Sequence, residues 1–104
     1  MAEIIWSELA KDHLQEIDSY ISKGSPFYSI IFIDKLIDSI EKIRTFPTCG
    51  RIVPEFENEN LREIFFHQYR IVYLLQNEAV KIVAIIHGAM DIQKKRKREP
   101  WDLT

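Results

Sequence analysis

Arg51, Arg62 and Arg70 recur near the starts of short apolar segments between Gly50 and Ala89. A guanidinium fork offers paired donors that match phosphate or carboxylate, so three of them in one small domain suggest a surface that grips an anion. The commoner outcome for such residues is a salt bridge at a strand end, with Glu55 or Glu63 as partner, which contributes little when exposed. His87 ends an apolar run and precedes Gly88. A histidine there can move a proton near neutral pH, and more often it caps or hydrogen-bonds the strand end. Tyr69 and Tyr73 combine apolar rings with hydroxyls that reach toward the surface.

Other chemistries find little support. His13, His67 and His87 are scattered, and Cys49 has no close cysteine or histidine at ligand spacing, so no metal site is expected. The only glycines are Gly24, Gly50 and Gly88, which is not a phosphate-binding loop, and no cofactor is expected. A lone thiol such as Cys49 beside a loop is ordinarily inert.

The elements that must position these residues follow from periodicity. Glu3 to Trp6 reads as a short strand. Ser7 is a candidate N-cap, and Ala10, Leu14, Ile17 and Ile21 then fall on one helical face. Gly24 is expected to stop that helix, and Ser25-Pro26 to start a second. Ile30, Ile33, Ile37 and Ile40, widened by Leu36 and Ile43, form its expected buried stripe, and Pro47 marks its end. The period then shortens. Leu61 to Phe66, Arg70 to Leu75 and Val80 to His87 read as strands, with turns at His67-Gln68-Tyr69 and Gln76-Asn77-Glu78. The last run is apolar on both faces after Lys81, as in a strand covered on both sides, with the N-terminal strand pairing beside it.

A chain of 104 residues implies one domain with a single core. Its net charge of −2 hides an asymmetry, because Lys94-Lys95-Arg96-Lys97-Arg98 are five consecutive cations. Without them the balance is −7. We therefore expect a compact domain over 1–90 and a basic C-terminal tail over 91–104, the tail either a solvated terminus or a contact for nucleic acid or an acidic protein. No apolar run reaches the roughly 20 residues that span a bilayer, so no membrane partner is expected. Met1 to Trp6 lacks the pattern of a signal peptide and a single cysteine forms no internal disulfide, which points to the cytoplasm.

In order and spacing, these segments resemble the RelE/ParE superfamily of type II toxin–antitoxin toxins. The resemblance runs from the strand ending at Trp6, through two helices ending near Phe46-Pro47, to Gly50-Arg51-Ile52-Val53-Pro54-Glu55, Leu61-Arg62-Glu63, Tyr69-Arg70-Ile71-Val72-Tyr73 and His87-Gly88-Ala89. It implies an α+β fold: an N-terminal strand and a helical hairpin packed on a small twisted, mainly antiparallel sheet. It also implies a cognate antitoxin that wraps the toxin, and a role in growth inhibition and plasmid stabilisation.

The superfamily divides into RelE-like members, which cut messenger RNA in the ribosome, and ParE-like members, which bind and inhibit DNA gyrase. RelE-like sites carry a phosphate-binding arginine that here corresponds to Arg70. They also carry a second arginine after the last strand, where this chain has Met90, and a C-terminal tyrosine, whereas no tyrosine follows Tyr73. Lysines of the preceding strand are replaced by Leu61, Arg62 and Glu63. A second nuclease pattern of Glu, Arg and His could be imitated by Glu55, Arg70 and His87, which are the catalytic candidates if the chain is a ribonuclease. The Gly-Arg-x-Val-Pro-Glu and His-Gly-Ala elements resemble ParE-like proteins more closely. In that reading Arg51, Arg62, Arg70, Lys94, Lys95, Arg96, Lys97 and Arg98 are the candidates for contact with the target or its phosphates.

Overall fold

Every residue from 1 to 104 is described by the computed structural model. The strand β1 (Glu3–Trp6) leads into α1 (Glu8–Gly24) and α2 (Pro26–Thr45), followed by β2 (Arg51–Ile52), β3 (Leu61–Phe66), β4 (Tyr69–Leu75), β5 (Ala79–His87) and α3 (Ile92–Arg98). The five strands form one sheet in the order β1-β5-β4-β3-β2. β1 runs parallel to β5, and the other pairs are antiparallel. No helix is long and apolar enough to cross a membrane.

Ser7 caps α1 as expected: its Oγ accepts from the Ala10 N–H at 3.0 Å. One residue, Ser25, serves both helices. Its N–H donates to the Ile21 carbonyl at the end of α1, and its Oγ accepts from the Tyr28 N–H at the start of α2. Gly24 is the last helical residue and needs no positive φ. The break is set instead by extended Ser25 (φ −158°, ψ 105°), because the residue before a proline is driven out of the helical region.

The buried stripe of α2 departs from expectation. Phe32, Leu36, Ile40 and Ile43 are inside with Ser29, whereas Ile30 is 69% exposed and Ile31 and Ile37 also face outward. This helix is apolar on most of its circumference, so periodicity alone offered two phases. Phe32 decides between them. Its ring packs against Phe66, His67 and Tyr69 at centroid distances of 5.1, 5.3 and 6.1 Å, over the β3–β4 turn. In that turn His67 takes a φ of 53°, as a two-residue hairpin connection requires at its first position.

Two apolar clusters lie on opposite faces of the sheet. The helical hairpin covers the first, which contains Ile71, Tyr73, Val80, Ile82 and Ile85 from the strands. The second, around Val72, Leu74, Val83, Ala84 and Ile86, is closed by Val53, Ile92, Phe56, Trp101 and Leu103. The C-terminal segment is therefore packed structure, not a frayed terminus. Asp91 caps α3 by accepting from the N–H groups of Gln93 and Lys94. Lys81 pairs with Asp102 at 3.0 Å, and Gln76 Nε2 donates to the Thr104 carbonyl at 2.9 Å.

β1 ends at Trp6, opposite Ile82, so the outer edge of β5 beyond that point lacks a strand neighbour. Side chains of α1 complete it. Ser7 Oγ donates to the Val83 carbonyl at 3.1 Å, and the Ile85 N–H donates to His13 Nδ1 at 3.0 Å. With Nδ1 accepting, neutral His13 carries its proton on Nε2, 2.9 Å from Glu99 Oε2. A buried histidine of α1 thus links the sheet edge to the end of α3.

Of the three glycines, Gly50 permits the closest approach. The Gly50 N–H donates to Tyr73 Oη at 2.9 Å, and that hydroxyl donates to the Pro47 carbonyl at 2.7 Å. A Cβ at Gly50 would lie 2.6 Å from both the Glu63 carbonyl oxygen and Tyr73 Oη. Tyr73 is fully buried, and burial pushes its pKa up to about 12. Gly50→Ala is expected to lower stability by about 1–3 kcal/mol through overpacking, measured as a shift of the urea midpoint at unchanged m-value.

Candidate functional site

On the face of the sheet opposite the helical hairpin, β3 presents Leu61, Glu63 and Phe65, and β4 presents Arg70, Val72 and Leu74. Alternation makes this face apolar at its centre and charged toward the β3–β4 turn. Glu63 is fully buried. Its Oε1 accepts from Arg70 Nε, and its Oε2 accepts from Arg51 Nε at 2.6 Å. The outer nitrogens of Arg70 donate to both oxygens of Glu55, at 2.9 and 2.8 Å. The Arg70 side chain is 6% exposed, so the fork is engaged on two carboxylates and withdrawn from solvent.

The electrostatics agree with this geometry. The Arg70 hydrogen bonds hold the Glu55 carboxyl below its ordinary value, against the opposing effect of partial burial. Arg70 itself is raised further, chiefly by Glu55, so it stays charged. Of the three arginines, Arg51 remains the most accessible, 57% exposed and with its guanidinium carbon 5.1 Å above the exposed Phe65 ring. Arg62 instead ties the β2–β3 connection together, donating to the carbonyls of Glu59 and Gly50 at 3.1 and 3.2 Å.

Glu55 and Arg70 therefore meet, but His87 does not join them. It packs edge-on against Tyr69, 5.8 Å between centroids, on the side of the sheet that carries α1. Its Nδ1 accepts from the Ala89 N–H at 3.2 Å. On α3, Lys94, Arg96, Lys97 and Arg98 are exposed, while Lys95 turns toward Glu99, 3.4 Å away. Arg96 lies 5.8 Å over the Phe56 ring, and Gln93 Nε2 donates to the Glu55 carbonyl at 3.1 Å, so the basic helix borders the arginine–glutamate cluster. No group of three or more His, Cys, Asp or Glu side chains is arranged to hold a metal ion.

The pairing of Glu63 has a sequence signal. A carboxylate sharing a strand face with Leu61 must find a buried cation on a neighbouring strand, and Arg70 is available for that role. The role of His13 has none, since only the early end of β1 creates the need for it.

The family model described as "ParE toxin of type II toxin-antitoxin system, parDE" matches residues 4–92. The chain belongs to this ParE toxin family. Its type is therefore that of a type II toxin–antitoxin toxin. Among solved structures, a chain of the chromosomal ParDE toxin–antitoxin system from P. aeruginosa has the same fold. The TM-score is 0.70 at 14% identity, with 84% of this chain and 96% of that chain covered. No curated protein sequence matches the chain. The matched ParE region takes in both hairpin helices and all five strands except the first residue of β1, and it stops at the first residue of α3.

Two outcomes are expected from the cluster. Glu63→Ala leaves Arg70 short of one buried carboxylate and should cost about 3–5 kcal/mol in urea unfolding. A carboxyl whose folded value lies below the ordinary 4.5 stabilises the fold above that value. That contribution fades as pH falls through the acid range. Glu55→Gln should therefore flatten the acid limb of a stability–pH profile below about pH 4.5 while lowering stability at neutral pH.

Proposed function

We propose that this ParE-family chain arrests growth in the cytoplasm by binding DNA gyrase, without catalysing a reaction, and that a cognate antitoxin holds it inactive. The observation that carries the proposal is the engagement of Arg70. The arginine best matched to a phosphate-binding role is closed on Glu55 and Glu63, and His87 lies across the sheet from it. RNA cleavage needs a group to activate the 2′-hydroxyl, another to protonate the leaving oxygen and a free cation at the phosphate. Glu55, Arg70 and His87 do not converge on such a centre. A toxin that works by occupying its target needs only a surface. Exposed Arg51 over Phe65 and the outward cations of α3, Lys94, Arg96, Lys97 and Arg98, supply arginine and aromatic groups of the kind that dominate protein interfaces.

The antitoxin contact is supported by a separate surface. Phe27, Ile30, Ile31 and Ile37 leave α2 apolar on its outer side, and a shallow hollow runs along Ile30, Ile33 and Ile37. An amphipathic helix laid on that side would bury these residues.

The purified chain should inhibit supercoiling by gyrase at micromolar concentration and leave translated messages uncut. Normal supercoiling together with new cuts near the ribosomal A site would replace this reading with the ribonuclease one. Expression without any growth defect would mark a non-toxic binding remnant. Ile30→Asp should weaken antitoxin binding about tenfold or more, measured by calorimetry, with little change in the stability of the free chain.

A further inference from the structure

One cavity belongs neither to the arginine–glutamate cluster nor to the outer side of α2. It opens between α1, the β3–β4 turn, the end of β5 and the start of α3, with a volume of about 470 Å³. That size falls in the range of specific small-ligand pockets, about 300–1,000 Å³. Ile17, Ile85 and Ile86 make its wall apolar, and Met90 stands at the rim. Three rings reach it: Tyr20, which is 73% exposed, Tyr69 and His87.

Two charged side chains of opposite sign border the cavity, and they are not equivalent. Lys95 is matched by Glu99. Glu16 is exposed and lies outside every ion pair in the chain. Of the other polar side chains in the lining, His13 has both ring nitrogens occupied, by the Ile85 N–H and by Glu99, and His87 Nδ1 accepts from the Ala89 N–H. The free charge at the mouth is therefore negative. A second hollow continues it along α1 past Asp12 and Asp18. Tyr20 and Tyr69 both line this space, and burial raises the Tyr69 hydroxyl above its ordinary value.

We propose that this cavity receives a single arginine side chain presented by a protein partner. The methylene stem would lie on the isoleucine wall, the flat guanidinium would stack on the Tyr20 and Tyr69 rings, and Glu16 would accept its hydrogen bonds. A lysine would bring the charge without the planar face, and an anion would meet Glu16 unopposed. The inference rests on the reading that the chain works through a protein partner, and it adds a chemical requirement on the partner's sequence.

The test needs no partner. The purified chain is titrated with N-acetyl-arginine amide, its lysine counterpart and the neutral isostere N-acetyl-citrulline amide, following backbone amide resonances. The arginine compound should give saturable shifts at Tyr20, Gln68 and His87. The citrulline and lysine compounds should each bind at least about fivefold more weakly. Glu16→Gln and Tyr20→Ala, both at exposed positions, should each weaken the arginine compound by a similar factor. Equal binding of citrulline, equal binding of lysine, or shifts confined to the outer acids Asp12 and Asp18 would overturn the proposal. Gyrase inhibition and growth arrest are read in other assays. Loss of arginine binding would leave the toxin reading standing, and normal supercoiling would leave the cavity result standing.

Discussion

A carboxylate without solvent has to be matched, and Glu63 is matched from two sides. Arg70 reaches it along the sheet from β4, and Arg51 from the short β2. Each match recruits another group. Arg70 has outer nitrogens left over, and Glu55 takes both, which draws the segment after β2 down onto the sheet. That segment carries Phe56, whose ring meets Trp101 and Arg96 from the C-terminal region. One buried charge thus organises a strand pair, a loop and the last helix. The same arrangement fixes the Arg70 guanidinium in place.

Local signals carried much of the architecture. The Ala10 to Ile21 stripe, the Ser7 and Ser25-Pro26 helix starts and the turn at Gln76-Asn77-Glu78 are written in neighbouring residues and appear where those residues place them. The other turn closes at His67-Gln68, because Tyr69 already belongs to β4. The doubly apolar run after Lys81 likewise became an interior strand covered on both faces. Failures began where local pattern was ambiguous. α2 has isoleucines around most of its surface, so its inward phase depended on Phe32 finding the β3–β4 turn. The basic run left a solvated terminus and a contact surface both open. Its cations are mostly exposed, and the packing around it rests on Ile92, Trp101 and Leu103, single apolar residues on either side with no period to announce them.

The candidate site was legible in its residue types and not in its partnerships. Arg70, Glu55 and Glu63 were identifiable, but the choice between gripping an outside anion and gripping each other depends on strand register. Glu63 lies opposite Val72, which sets it diagonal to Arg70. His87 falls beside Tyr69 on the other face because alternation along β5 sends it there. His13 escaped notice because its purpose is to finish an edge that β1 leaves open, a need visible only once the strands are paired.

The parallel pairing of β1 with β5 and the closure of the second face by Trp101 and Leu103 share a temporal consequence. The first strand has no strand neighbour until the chain has been made beyond residue 79, and the cover of the far face by Val53 and Phe56 is not complete until Ile92, Trp101 and Leu103 join it. Contacts so distant along the chain form slowly, because a long loop must close before they are rewarded. The helical hairpin draws on contacts close along the chain, whereas the surface where α3 borders the arginine–glutamate cluster waits until Trp101 and Leu103 can pack.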